Sequence, residues 1–99
     1  MIARIWRGAT ALNDAGAYVE YLRQTGLKGY RETPGNQGAY VLWREAGGRA
    51  EFVTISLWES TKAIAAFAGE QIERAVFYPE DDRYLVDRDL TVTHYHVVT

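Results

Sequence analysis

The only two histidines of the chain, His94 and His96, lie two residues apart. On a β-strand both side chains would project from one face, with about 6–7 Å between their backbone positions. Imidazole is a common metal ligand, and this spacing suits a shared ion. A metal site needs further ligands, and nothing in the spacing brings Asp87 or Asp89 to the pair. We therefore expect no metal site and interpret the histidines as polar aromatic side chains at a strand edge or subunit interface.

Two arginines, Arg4 and Arg7, interrupt an otherwise apolar segment near the start of the chain. Because their positions differ by three, a strand would point them to opposite faces. Arg7 is a candidate for neutralising an anionic or enolate substrate. The structural alternative is that Arg7 pairs with a carboxylate such as Glu59 or Glu70.

No nucleophile motif and no phosphate-binding loop is present, and the chain has no cysteine. Disulfide scaffolds and cysteine-built metal or redox sites are therefore excluded. What remains is a surplus of aromatic residues, with three Trp, seven Tyr and three Phe. Such side chains build cores, and they also line pockets for flat organic molecules. The acidic run 80–82 is interpreted as a solvated loop, or as part of a pocket rim beside Tyr78 and Tyr84.

The size and charge of the chain limit the possible partners. It has 99 residues, with 11 Lys+Arg against 13 Asp+Glu, and neither sign forms a long block. Nucleic-acid grooves and anionic membrane surfaces require clustered basic residues, so we expect neither partner. No apolar run reaches membrane-spanning length, and no signal peptide is recognisable. We expect one soluble, cytoplasmic domain over residues 1–99.

Periodicity and turn residues predict the elements that would position these side chains. The expected strands are 2–7, 39–44, 51–58 and 91–98. The expected helices run from Asn13 or Asp14 to about Thr25, and from a cap at Ser60 or Thr61 to about Phe67. Gly26 and Gly29 are read as the end of the first helix, 71–76 as a short helical turn and 77–85 as a connection. The order βαββαβ predicts a ferredoxin-like α+β fold, a four-stranded antiparallel sheet with two main helices on one face.

Three of the four predicted strands carry no charge on either face over residues 39–43, 52–58 and 91–98 if the histidines are neutral. Residues 52–58, for example, read FVTISLW. Two helices cover only one face of such a sheet, so the other face should be polar. We therefore expect a homodimer through the sheet face. The alternative is a solvated face with scattered Thr and Tyr.

A family resemblance rests on the junction Trp58-Glu59-Ser60, which follows the strand 52–57 and precedes a helix with Ala63, Ala66 and Phe67. This segment resembles the antibiotic biosynthesis monooxygenase superfamily, whose ferredoxin-like domains pair into dimeric α/β barrels. Residues 1–8 and 77–83 further resemble a bacterial subgroup that carries the monooxygenase name without an assigned reaction. The resemblance covers the whole chain as an order of elements.

The resemblance also implies which chemistry to expect. Quinone-forming members carry an Asn and a Tyr where this chain has Thr54 and Ile64. Haem-degrading members carry an Asn where this chain has Arg7, a second Trp where it has Phe67, and a His where it has Phe77. The resemblance therefore implies no haem, and we expect no cofactor.

Trp58 is the one functional residue that the resemblance carries over. The resemblance turns the strand face that carries Thr54, Ser56 and Trp58 toward a pocket between sheet and helices. Apolarity alone would instead turn the opposite face, with Val53, Ile55 and Leu57, toward the helices. We follow the resemblance, because small polar side chains leave room for a ligand. The candidate substrate-binding residues are Trp58, Thr54, Phe67, Tyr78 and Arg7.

The expected function is that of a small-molecule monooxygenase-like protein. It would act on, or bind, a small aromatic or polyketide-like metabolite in the pocket between sheet and helices. A deprotonated substrate would itself supply electrons to O₂. Two alternatives are a non-catalytic dimeric small-molecule-binding module and a lyase or isomerase on the same barrel with His94 as its base.

Overall fold

A computed structural model describes residues 1–99 as five strands, four α-helices and a short 3-10 helix (Leu12–Asp14). The strands are β1 (Ile2–Ala11), β2 (Asn36–Ala46), β3 (Arg49–Trp58), β4 (Leu85–Arg88) and β5 (Thr93–His96). The helices are α1 (Ala15–Gln24), α2 (Gly26–Glu32), α3 (Thr61–Ala68) and α4 (Asp81–Tyr84). None of the helices has the length and apolar character needed to span a membrane.

The strands form one antiparallel sheet with the order β2-β3-β1-β4, in which β5 also pairs with β1. Because β3 occupies one edge of β1 along its whole length, β4 and β5 share the other edge. β5 pairs with Ile2–Ile5, and β4 pairs with Gly8–Thr10 beyond it. The predicted α+β fold, an antiparallel sheet with helices on one face, is confirmed. The last strand, expected over 91–98, is shorter and covers 93–96, and an additional strand, β4, precedes it, so the sheet has five strands rather than the expected four.

Alternation along β3 decides which face of the sheet meets the helices. Every second side chain from Ala50 to Trp58 is buried, while Val53, Ile55 and Leu57 between them are half-buried. The prediction that the Trp58 face turns toward the helices is therefore confirmed. The opposite face carries no helix.

The core lies between this inner face and the helices in two clusters. Tyr18 of α1 packs edge-on against Phe52 of β3, with ring centroids 5.1 Å apart. Trp58 packs against Ala63 and Ile64 of α3 in the second cluster. α3 begins at the predicted cap, because the Ser60 side chain accepts a hydrogen bond from the backbone N–H of Ala63 at 3.1 Å.

Two local expectations are wrong. Gly26 and Gly29 do not end the helical region but belong to a second helix, α2. A Cβ on Gly29 would lie 2.7 Å from the Tyr78 hydroxyl, so a glycine lets α2 approach the segment that follows α3. Residues 71–76 form a turn and an isolated bridge from Arg74 to Thr91 rather than a helical turn.

The segment 71–76 makes one local turn and then bonds to a distant part of the chain. The N–H of Arg74 donates to the carbonyl of Gln71 at 3.0 Å, which closes the turn. The N–H of Ala75 donates to the carbonyl of Leu90 at 3.0 Å, and the N–H of Val92 donates to the carbonyl of Glu73 at 2.8 Å. These long-range bonds take the place of the further local bonds that a helix would make.

Candidate functional site

A small cavity of about 30 Å³ lies between the inner face of the sheet and the helices. A buried water needs roughly 10–15 Å³, so this space suits about two water molecules. Six aromatic side chains dominate its lining, namely Trp6, Tyr18, Tyr30, Phe67, Phe77 and Tyr78. Among its polar lining residues are Arg4, Thr54 and Asp81. We call this cavity the inner pocket.

Arg4 brings a buried positive charge to the inner pocket. The residue is only 3% exposed, because β1 turns its even-numbered side chains toward the helices. One guanidinium nitrogen, Nη2, donates to the carbonyl of Arg74 at 2.8 Å, and Nη1 donates to the carbonyl of Ile72. Burial lowers the pKa of Arg4 from its ordinary value.

No carboxylate lies within ion-pair distance of Arg4, since none of the six ion pairs in the chain includes it; the negative charge of Glu73 acts on Arg4 from farther away. The carbonyls that hold the guanidinium contribute dipoles but no net negative charge. Buried charges in proteins are ordinarily paired. The Phe67 ring, 5.9 Å from Cζ of Arg4, adds an attractive cation–π contact. An anionic group beside Arg4 would therefore meet a cation that has no ion-pair partner.

Asp81 contributes a buried carboxylate to the same lining. It is 4% exposed, whereas its neighbours Glu80 and Asp82 are exposed. Its Oδ1 accepts a hydrogen bond from the Tyr18 hydroxyl at 2.9 Å, and its Oδ2 accepts one from the backbone N–H of Tyr78 at 2.6 Å. The interpretation of 80–82 as a solvated loop is thus wrong at its central residue.

The tyrosine hydroxyls around the pocket are held in their neutral form. Burial raises the pKa of Tyr18, Tyr30 and Tyr78, and the Asp81 carboxylate raises each of them further. At Tyr30 the positive charge of Arg4 acts in the opposite direction. These hydroxyls are therefore hydrogen-bond donors at neutral pH rather than bases.

Three of the five residues expected to bind a substrate, namely Thr54, Phe67 and Tyr78, line the inner pocket. Trp58 does not belong to this lining. It is fully buried, and its indole N–H donates to the Ser56 hydroxyl at 2.9 Å. The Phe67 ring lies 5.7 Å from the Trp58 ring and also lines the pocket, so Trp58 forms a layer behind it.

The fifth residue, Arg7, lies on the other face of the sheet. The expectation that it lines the pocket between sheet and helices is therefore wrong. It is exposed and lines a wide hollow of about 480 Å³ there. It forms no ion pair, so the alternative pairing with Glu59 or Glu70 is also not found. Strand alternation explains the position of Arg7. Arg4 and Arg7 are three positions apart and point to opposite faces of β1, and Arg4 points toward the helices.

The two histidines have different surroundings. His94 lies opposite Arg4 in the register of β1 and β5, with its Nε2 3.3 Å from Nη1 of Arg4. His96 lies opposite Ile2 and is exposed. No three histidine or acidic residues come together as a group that could hold a metal ion.

The chain was compared with protein families, curated proteins and solved structures, and it resembles a solved structure. No protein-family model and no curated protein matches the chain. Among solved structures, the crystal structure of a mutant of MhuD with two manganese protoporphyrin IX molecules bound per active site is similar, with a TM-score of 0.59. The two chains share 20% sequence identity, over 100% of this chain and 96% of that one. This likeness shows a ferredoxin-like fold.

Proposed function

We propose that this chain is a monooxygenase-like protein that binds a small planar aromatic anion in the inner pocket. The ligand class comprises phenolates, enolates and aromatic carboxylates. One observation carries the proposal: the buried Arg4 guanidinium has no carboxylate partner and faces a cavity lined by six aromatic rings.

The chemistry of the lining supports this ligand class. A negative oxygen next to Arg4 would give the guanidinium the ion-pair partner that it lacks within the chain. Aromatic walls favour a flat ring, which they contact by offset stacking or edge-on packing. A phenol bound in this way would ionise more easily than in water, since a nearby positive charge favours its charged form.

Binding a whole ring requires the pocket to widen. Its outer wall includes Val76, Phe77 and Tyr78, which belong to the segment 69–80 between α3 and α4. This segment contains no helix or strand, and such regions open at a lower free energy than core elements. We infer that a ligand displaces these side chains while Arg4 and Thr54 stay fixed on β1 and β3.

Oxygenation is the reaction proposed for this site. An ionised phenol or enol is electron-rich and can pass electrons to O₂ without a cofactor. One oxygen atom of O₂ would replace the hydrogen on a ring carbon, so that the phenol becomes a quinone. The second oxygen atom would leave as water, together with that hydrogen and the hydrogen of the phenol hydroxyl. In this reaction Arg4 would stabilise the anion that reacts.

The molecules bound by MhuD do not fit the inner pocket of this chain. Neither histidine belongs to the lining, so the pocket offers no imidazole to a haem iron. Phe77 lines the pocket at the place where the sequence resemblance expects an axial histidine. No haem chemistry is therefore included in the proposal.

We also propose that the protein is a homodimer that covers the open face of the sheet. The strand register aligns Tyr40, Ile55 and Ile5 across β2, β3 and β1 on that face. Tyr40 and Leu42 are 59% and 51% exposed. Soluble monomers rarely leave a large continuous apolar patch in water, and a second copy of the chain is the simplest cover.

The ligand proposal can be tested with 4-nitrophenol, whose phenolate has a visible absorption band that its neutral form lacks. We expect the wild-type protein to lower the apparent pKa of the bound phenol. Arg4→Met should abolish the effect, whereas Arg4→Lys should retain part of it. The matched control is Arg7→Met, which removes the same charge from the other face of the same strand. Far-UV circular dichroism and thermal melting would confirm that each variant folds.

Two results would contradict the proposal. One is a wild-type protein that leaves the ionisation of the phenol unchanged at every concentration. The other is an equal loss of binding in Arg7→Met and Arg4→Met. Consumption of O₂ by a phenol or enol that binds, measured with an oxygen electrode, then separates an oxygenase from a binding module.

A further inference from the structure

Two opposite charges line the inner pocket, and neither has an ion-pair partner. Arg4 and Asp81 are 3% and 4% exposed, and none of the six ion pairs in the chain includes either residue. They also form no ion pair with each other. The pocket is thus polarised, with a cation on the sheet side and an anion at the start of α4.

The two charges enter the pocket from different elements, Arg4 from β1 and Asp81 from the start of α4. Tyr30 lines the pocket as well. Burial raises the pKa of its hydroxyl, while the charge of Arg4 lowers that pKa and the charge of Asp81 raises it. A ligand in the pocket that reaches both elements would therefore meet the cation on β1 and the carboxylate on α4.

Both charged groups keep unused hydrogen-bonding capacity. A guanidinium has five N–H groups, and Arg4 uses three of them, toward Ile72, Arg74 and His94. An ionised carboxylate accepts at about four positions, and Asp81 uses two, for Tyr18 and Tyr78. Arg4 can thus donate to a further acceptor, and Asp81 can accept from a further donor.

Resting on the proposed function, we propose that Arg4 and Asp81 select aromatic ligands that carry an acceptor at one end and a hydroxyl at the other. The class is that of hydroxyaryl carboxylates. Arg4 binds the carboxylate, which is the most acidic group of such a ligand, and the ring hydroxyl donates its hydrogen bond to Asp81. A phenol that carries no carboxylate places its own oxygen at Arg4, as in the proposed function. Asp81 is the specificity-determining residue for the hydroxyl.

The reason for selection is the cost of leaving a buried charge without its hydrogen bond. A ligand that lacks the hydroxyl would cover Asp81 with an apolar ring edge and remove water from the carboxylate. Sites built to bind a hydroxyl reject analogues that lack it far more strongly than apolar pockets reject a missing methyl group. A second carboxylate at the Asp81 end would be repelled.

The test compares ligands of equal shape by isothermal titration calorimetry. The probes are 4-hydroxybenzoate, benzoate and 4-methoxybenzoate, together with 6-hydroxy-2-naphthoate and 2-naphthoate as a longer pair. We expect the hydroxyl to tighten binding to the wild-type protein about tenfold or more in at least one pair. Methylating the hydroxyl should remove that gain, because the methoxy group cannot donate.

The protein variants are Asp81→Asn and its matched control Asp82→Asn, which makes the same change at the exposed neighbouring residue. Asp81→Asn should bring the ratio of the affinities for the hydroxylated acid and for the parent acid, which lacks the hydroxyl, to near one. The parent acid should bind this variant as tightly as the wild-type protein or more tightly. Asp82→Asn should keep the wild-type preference. The comparison of ligands on the wild-type protein needs no variant, so it stands even if Asp81→Asn folds poorly.

Equal affinities for hydroxylated and parent acids in both pairs would overturn this inference. A preference that persists in a folded Asp81→Asn protein would overturn it as well. If the parent acids still bind in a manner that depends on Arg4, the proposed function survives such a result. If no aromatic acid or phenol binds the wild-type protein, both proposals are wrong.

Discussion

Nη1 of Arg4 lies 3.3 Å from Nε2 of His94, which links the buried cation of the inner pocket to β5. Only a neutral imidazole can accept a hydrogen bond at this nitrogen. Burial and the positive charge of Arg4 lower the pKa of His94, and Glu73 on the neighbouring segment acts in the opposite direction. Protonation of His94 would therefore remove a contact and place two cations side by side.

The first prediction concerns the pH dependence of folding. The unfolded chain binds a proton at His94 more readily than the folded chain, so the stability from neutral His94 is present above about pH 6.5 and is lost as the pH falls. We expect the melting temperature to fall between about pH 6.5 and 5. His94→Gln should weaken this fall and His96→Gln should not, because His96 has no such contact. Identical profiles for the two variants would show that another group is responsible.

The second prediction concerns the oligomeric state. Light scattering should give a mass of twice the 11.2 kDa of one chain at micromolar concentration. Ile55→Lys introduces a charge at the centre of the open sheet face and should shift the mass toward that of one chain. Gln24→Lys adds the same charge on the exposed surface of α1 and should leave the dimer intact. A wild-type monomer, or dissociation by both variants, would contradict the proposed interface.

The third prediction concerns Trp58. Its ring is fully buried and its N–H is bonded to Ser56, so Trp58→Ala should reduce the free energy of unfolding by about 3–5 kcal/mol. The measurement is urea denaturation followed by circular dichroism. A loss of only about 1–2 kcal/mol, together with a changed affinity for phenols, would show instead that Trp58 is a wall of the pocket in solution.

The fourth prediction uses two glycines in helices. Gly16→Ala in α1 meets no atom within 4 Å and should stabilise the protein by up to about 1 kcal/mol. Gly29→Ala gains the same helix propensity, but its Cβ would lie 2.7 Å from the Tyr78 hydroxyl and 3.2 Å from the Phe67 ring. We expect Gly29→Ala to weaken phenol binding and Gly16→Ala to leave it unchanged. Unchanged binding in both variants would place the ligand away from Tyr78 and Phe67.

Strand alternation in the sequence was sufficient to predict the sheet but not the residues that carry charge into the pocket. It placed Arg4 and Arg7 on opposite faces, yet both faces of the sheet are apolar, so nothing local showed which arginine turns inward. The structure shows that the inner arginine is Arg4.

Asp81 and the segment 71–76 show why the rest could not be predicted. The burial of Asp81 depends on the Tyr18 hydroxyl, which lies 63 positions earlier in the chain. Residues 71–76 have the composition of a helical turn, but their backbone bonds to Leu90 and Val92 instead. Tertiary contacts of this kind override local propensity, and a single sequence does not show them.

The place of β4 and β5 in the chain has a consequence for how the protein folds. One edge of β1, at residues 2–11, is completed only by β4 and β5, which end at Arg88 and His96. The contacts that close the sheet thus have a very large sequence separation, and such topologies fold slowly because a long loop must close before its contacts form. During synthesis, β1 therefore keeps one edge unpaired until residues 85–96 have been made.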